Sequence, residues 1–249
     1  MNGSTGSSQR TLIIWIAIAA LVLLTMIGGI VVAANLGLSA LRANDTTQDK
    51  AGTGAPTTST ELVLPPDVTV DQAYIEFGPA SGVPVVDVYA DFLCPYCRQF
   101  AAANDADVRE LAESGRATIR IHPRPMLDDY SEPAGYSGRS ANAALAVYAE
   151  DPDLYWDMAD ALYANQPGEG GAGLTDEELI ELAHSVGAGQ DVDVVITEGR
   201  YIPWLEQVVE PEAQSKDIGT PTVYIDGTAF EGDQLYENGG LEDAVLAAA

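Results

Sequence analysis

The sequence predicts an α/β domain carried behind a single N-terminal transmembrane helix. Three observations predict it: an uncharged apolar run from Thr11 to Ala34, a strand–strand–helix–strand order between Ala73 and His122, and a return to strand patterning at Pro221–Phe230 after a long helical middle. With 47% hydrophobic residues in 249, the chain has enough apolar side chain for a real core.

The apolar run TLIIWIAIAALVLLTMIGGIVVAA carries no charge, and none follows before Arg42. As a helix, these 24 residues would extend about 36 Å, more than the roughly 30 Å hydrocarbon core of a bilayer. A membrane anchor over 11–35 is therefore expected. The rival is a cleaved signal peptide ending at Val32-Ala33-Ala34 or Leu38-Ser39-Ala40, but the run exceeds the roughly 7–15 residues of a signal core. Arg10 precedes the helix without an acid beside it, whereas Arg42 and Lys50 follow it among Asp45 and Asp49. That bias places 1–10 in the cytoplasm and the bulk of the chain outside. The stretch 36–61 is small and polar and reads as a flexible tether.

A folded domain is expected over 62–249. Ala73–Phe77 and Val83–Ala90 read as strands, the second running into Asp91–Phe100, DFLCPYCRQF. Pro95 suits the first position of a helix that carries Phe100, Val108 and Leu111 to Gly115. Ala117–His122 alternates and forms the next strand. The middle is helical: an Ala-rich stretch Ser137–Glu150, a helix opening at Asp151-Pro152, another opening on the capping box Thr175-Asp176-Glu177-Glu178 and ending at Gly187, and a last from about Trp204 to Lys216. Pro221–Ile225 and Thr228–Phe230 flank Asp226-Gly227, a two-residue hairpin signal. An amphipathic helix through Leu241, Ala244, Val245 and Ala248 closes the chain.

The formal net charge is −27, and from Glu61 onward 36 acids face 8 lysines and arginines. Such a surface repels phosphate backbones, which excludes nucleic acid as a partner. Solubility accounts for the acidity better than recognition of basic partners does.

Cys94 and Cys97 are the only cysteines. With Cys94 as the N-cap of the helix that Pro95 starts, unpaired N–H groups and the helix dipole stabilise its thiolate, lowering the pKa from about 8.5 by one to several units. Cys94 is then an exposed nucleophile and leaving group; Cys97, one turn on, points into the domain and can close a disulfide with it. A disulfide whose reduced form is stabilised in this way tends to oxidise others. Three readings compete. A structural disulfide would gain little from so short a loop. A zinc site would need His122 and His184, which lack metal-ligand spacing to the pair or to each other. A chance C-x-x-C is the third. Gly219-Thr220-Pro221-Thr222 is a second feature: a cis bond before Pro221 would make a tight turn presenting the Thr220 backbone to a partner.

Together, CPYC after a strand, the helical stretch containing Tyr155–Pro167 (YWDMADALYANQP) and GTPT before a hairpin resemble the DsbA-like thioredoxin-fold oxidoreductases of the membrane-tethered bacterial type. The resemblance covers Val68–Ala249. It implies a thioredoxin-like fold with a helical insertion at about 131–216 and no cofactor. It also implies Cys94 as the attacked and attacking sulfur, Cys97 as the resolving one, Pro221 as a cis-proline facing them, Thr220 offering backbone hydrogen bonds to substrate, and Pro95 and Tyr96 tuning the thiolate. The implied activity is disulfide introduction into exported cysteine-containing proteins, with re-oxidation by a separate, quinone-linked membrane partner. Reductase or isomerase activity on the same fold is the alternative. A redox-independent binding module, with Tyr130, Tyr136, Tyr155 and Tyr163 lining a groove, is the alternative from another class. The chain departs from the family at Val88, where a buried acid often stands six residues before the first cysteine. Asp87 is one residue earlier and is expected on the other side of the strand.

Overall fold

Alternation along five strands gives one sheet two unlike faces. The computed structural model describes residues 62–249, so the expected anchor and tether lie outside the described residues. The strands β1 (Ile75–Phe77), β2 (Val85–Ala90), β3 (Thr118–Pro123), β4 (Thr222–Ile225) and β5 (Thr228–Phe230) lie in the order β1-β3-β2-β4-β5. Only β2 and β3 are parallel, and α1 (Pro95–Glu113) makes the crossover that parallel pairing requires.

On one face the register sets Val88 beside Ile121 and Val223, and Val86 beside Ile119 and Ile225, all inside the main core. The other face carries Asp87 beside Arg120 and Tyr224, and Tyr89 beside His122. Asp87 does turn away from the core. Both central residues of the β4–β5 turn have positive φ, Asp226 at 49° and Gly227 at 74°, the backbone that an Asp-Gly hairpin turn uses.

Between β3 and β4 the chain is helical. At its centre α2 (Tyr136–Glu150) is buried from Tyr136 to Tyr148 save for Arg139, as a helix without a wholly polar face must be. Packed around it are α3 (Tyr155–Ala164), α4 (Asp176–Ser185) and α5 (Asp191–Thr197). The Thr175 capping box closes in both directions, Thr175 Oγ1 accepting from Glu178 N and Glu178 Oε2 from Thr175 N.

The helix α5 departs from the sequence reading, which places no element between Gly187 and Trp204. Its β-branched residues have low helix propensity, but Val192 and Ile196, one turn apart, are buried. Asn142 of α2 fastens its end, donating to the Val195 and Ile196 carbonyls and accepting from Tyr201 N. The segment 202–215, here α6, is α-helical at both ends with a π-helical turn at Leu205–Val209 between them. Pro211 lacks the N–H that an unbroken α-helix would use there, and the π turn lies just before it. Finally α7 (Gly240–Ala248) packs on α1. No helix among the described residues is long and apolar enough to cross a membrane.

Candidate active site

The parallel strand β2 delivers the chain to the N-terminus of α1, and there the cysteines sit. Cys94 is the N-cap with extended backbone (φ −71°, ψ 118°), and Pro95 takes the first helical position, where its missing N–H costs nothing. Both thiols are free in this structure. The Cys94 pKa is lowered to about 6: the Cys97 thiol donates to its sulfur, the backbone N–H groups of Cys97 and Tyr96 and the Thr220 side chain assist, and burial opposes. Cys97 has no exposed surface, and burial, then the neighbouring Cys94 sulfur, push its thiol well above the ordinary range. The two sulfurs are thus held in opposite protonation states at neutral pH.

One expectation needs correcting: Cys94 is 4% exposed, not open to solvent. The reason is the loop before β4, which lays Thr220 over it. The Thr220 carbonyl lies 3.5 Å from Cys94 Sγ and accepts from it only while the thiol is protonated, whereas the buried Thr220 Oγ1, with no other partner, can donate to the thiolate. The Thr220–Pro221 peptide bond is cis. Tyr96, between the cysteines, is 59% exposed.

The structure adds residues that sequence reasoning missed. Asp91, three residues before Cys94, is 1% exposed, and its backbone N–H donates to Cys97 Sγ at 3.5 Å. Its carboxylate accepts from Leu93 N and Ser137 Oγ on one oxygen and from Leu127 N on the other, tying the cysteine turn to the segment after β3 and to α2. Burial raises its pKa to about 7 against those three donors, and the Cys94 charge adds to the rise. A buried acid therefore does stand beside the cysteines, at a position other than Val88. An acid between a buried strand and two apolar residues was its only signal. Gln166 was also missed: its Nε2 donates to the carbonyls of Phe92 (2.8 Å) and Cys94 (3.0 Å). Buried Arg124 pairs both nitrogens of its fork with Glu210 and donates to the Ile218 carbonyl, two residues before Thr220.

The remaining candidates separate from the site. His122 pairs with Asp87 and His184 with Asp193. Tyr136, Tyr155 and Tyr163 are core residues and only Tyr130 is exposed, so the four do not form a groove.

Comparison with known proteins agrees with this geometry. A family described as Thioredoxin matches residues 74–240. Among solved structures, reduced DsbA from Mycobacterium tuberculosis superposes with a TM-score of 0.58 at 26% identity, over 72% of this chain and 100% of that one. MdbA of Corynebacterium diphtheriae, a thiol-disulfide oxidoreductase, does so with 0.59 at 26% identity, over 71% and 90%. In sequence, the serine/threonine-protein kinase PknE of M. tuberculosis is 34% identical over 107 residues, 41% of this chain. The match spans only 19% of the kinase. The chain belongs to the thioredoxin family, among its DsbA-like thiol–disulfide oxidoreductases.

Proposed function

We propose that this protein is a membrane-anchored, extracytoplasmic thiol–disulfide oxidoreductase that introduces disulfides into exported proteins. The observation that carries the reading is the asymmetry of one cysteine pair: an acidified Cys94 at a helix N-terminus beside a buried Cys97 held protonated. A substrate thiolate attacks Cys94 Sγ of the oxidised pair, the Cys94–Cys97 bond breaks, and Cys97 leaves and takes up a proton. The substrate's second thiolate then attacks its own mixed-disulfide sulfur and expels Cys94 as a stabilised thiolate. Two electrons have passed from substrate to enzyme. Thr220 is proposed to align the incoming chain through its backbone, with Pro221 holding that turn, while Pro95 and Tyr96 set the helix start.

The apolar run 11–34 and the charge bias around it support anchoring with the domain outside. The chain holds no cysteine beyond the active pair, so re-oxidation falls to a separate membrane protein, for which a quinone-linked oxidase has the right chemistry.

The deciding experiment is the reduction potential of the Cys94–Cys97 pair in defined glutathione buffers. The expected value lies well above thioredoxin's roughly −270 mV, toward DsbA's roughly −120 mV. A value near or below thioredoxin's makes the protein a reductase. Cys94→Ser is expected to abolish exchange, and Cys97→Ser to accumulate mixed disulfides with substrates.

A further inference from the structure

Behind the loop that covers Cys94 lies a buried ion pair that takes no part in the thiol chemistry. Arg124, the residue after β3, is 2% exposed and stands at the C-terminal end of the parallel strands, where its N–H donates to the Ala90 carbonyl at 2.7 Å. Its guanidinium meets Glu210 of α6 through two parallel bonds, Nε to Oε2 at 2.9 Å and Nη2 to Oε1 at 2.7 Å, and Gln214, one turn on, also donates to Oε1. The π turn before Glu210 turns it inward. Its extra residue shifts the buried face of α6 by one position, so that Val209 and Ala213 are buried and the Glu210 side chain is only 13% exposed.

The third nitrogen of the fork, Nη1, donates to the Ile218 carbonyl. Ile218 belongs to the turn that ends α6. The Asp217 N–H donates to the Gln214 carbonyl and the Ile218 N–H to that of Ala213, with Asp217 in left-handed backbone (φ 55°) and Ile218 packed on Ala213, a Schellman stop. The Ile218 N–H is thus taken by the helix and its carbonyl by Arg124. Only Gly219 separates this fixed residue from Thr220, whose carbonyl and hydroxyl lie against the Cys94 sulfur. Gly219 adds no packing of its own, since a Cβ there would meet no atom within 4 Å.

Stability does not account for the pair. Taking two charges out of water costs about what their attraction returns, and an apolar pair of similar volume often serves a fold as well or better. What an apolar pair cannot do is hold a carbonyl. We propose that Arg124, held in place by Glu210, is a positioning residue for disulfide exchange: by fixing the Ile218 carbonyl it sets Thr220 over Cys94, which shields the sulfur from small reagents and presents the Thr220 backbone to a substrate chain. The proposal rests on the exchange activity proposed above. Loosening the loop should therefore have opposite effects on two kinds of reagent, opening Cys94 to a small one and removing the docking edge from a polypeptide.

The test compares the full-length native protein, in detergent, with Arg124→Lys and with the double variant Arg124→Met plus Glu210→Leu. Lysine keeps the charge but not the fork, so it cannot hold Glu210 and Ile218 together as arginine does. The double variant removes both charges at once and leaves neither buried without its partner, so it carries the test should Arg124→Lys fail to fold. Two rates are read well below the melting temperature. The first is alkylation of the reduced protein by iodoacetamide at about pH 8.5, where Cys94 is a thiolate and buried Cys97 stays protonated. The second is oxidation of a blocked two-cysteine peptide by the oxidised protein. In the variants, alkylation is expected to be faster by about threefold or more, as the sulfur is uncovered, and peptide oxidation slower by about fivefold or more, as backbone hydrogen bonds to the peptide are lost. A merely structural role moves neither rate in a folded variant, and a disturbed cysteine turn moves both the same way. Folded variants in which either rate is unchanged, or in which both move together, overturn the proposal. Native protein that fails to oxidise the peptide sinks the exchange reading, and the alkylation rates then decide the anchor by themselves: faster in the variants keeps Arg124 as the residue that sets the cover over Cys94, and unchanged removes it.

Discussion

Cys94 and Cys97 are chemically identical thiols that the fold makes unlike. One sits at the start of a helix among four donors; the other is buried in the core. The difference has a readable consequence for pH dependence. Below about pH 6 both thiols of the reduced pair are protonated, so two protons accompany two electrons and the potential should fall by about 59 mV per pH unit. Above it Cys94 is a thiolate and the slope should halve to about 30 mV. Asp91 modifies this pattern. The Cys94 thiolate raises its pKa, and oxidation removes that charge, so reduction near pH 7 draws an extra fraction of a proton onto Asp91. The native slope should therefore stay above about 30 mV per unit until pH exceeds about 7, whereas Asp91→Asn should reach it directly above the Cys94 inflection. Identical profiles for the two proteins would remove Asp91 from the redox chemistry and leave it a structural clamp.

Where helices meet, the same physics acts on stability. Asp105 of α1 approaches Asp160 of α3; burial first, and then the Asp160 charge, raise its pKa to about 7. Because the folded value lies above the unfolded one, the folded state binds the extra proton. Stability is therefore fully present below about pH 4, is lost as pH rises toward 7, and is flat beyond. Asp105→Asn should raise the melting temperature at pH 8 by a few degrees and change it little at pH 4, as paired calorimetric scans would show. An equal effect at both pH values would mean that the pair does not share a proton. Such pairings also mark the limit of what was legible in the chain. The strands announce themselves by alternation, α1 by Pro95, α4 by its capping box and the β4–β5 turn by Asp226-Gly227, because each signal is local. The cysteine motif and Thr220–Pro221 were legible for the same reason. Asp91 was not, since its meaning depends on Ser137 and Leu127, which reach it only through the fold. Gln166 lies 72 residues from the carbonyl of Cys94 that it holds. Likewise α5 is helical against its own propensities because α2 offers it a place to bury Val192 and Ile196.

Considered together, the charges on the protein are lopsided. The chain carries a formal charge of −27, yet every arginine and lysine among the described residues except Arg98 already makes an ion pair. Further favourable pairing is therefore scarce, and the surplus carboxylates repel one another. Two consequences of added salt compete. Screening weakens the ion pairs, but most of these are partly exposed and contribute at most about 1 kcal/mol each, while the buried Arg124–Glu210 pair is shielded from it. Screening also relieves the long-range repulsion, which sums over every unpaired acid and reaches about 30 Å at 0.01 M salt but only about 8 Å at 0.15 M. The second effect should win. The melting temperature is expected to rise by several degrees between 0.01 and 0.5 M sodium chloride, with most of the gain below about 0.15 M, where the screening length shrinks fastest. Thermal scans of the reduced protein across that series, at a fixed pH near 8 where the surface carboxylates are ionised, provide the check. A flat or falling curve would show that the ion pairs outweigh the repulsion, and the acidic surface would then need an explanation other than self-repulsion tolerated for solubility.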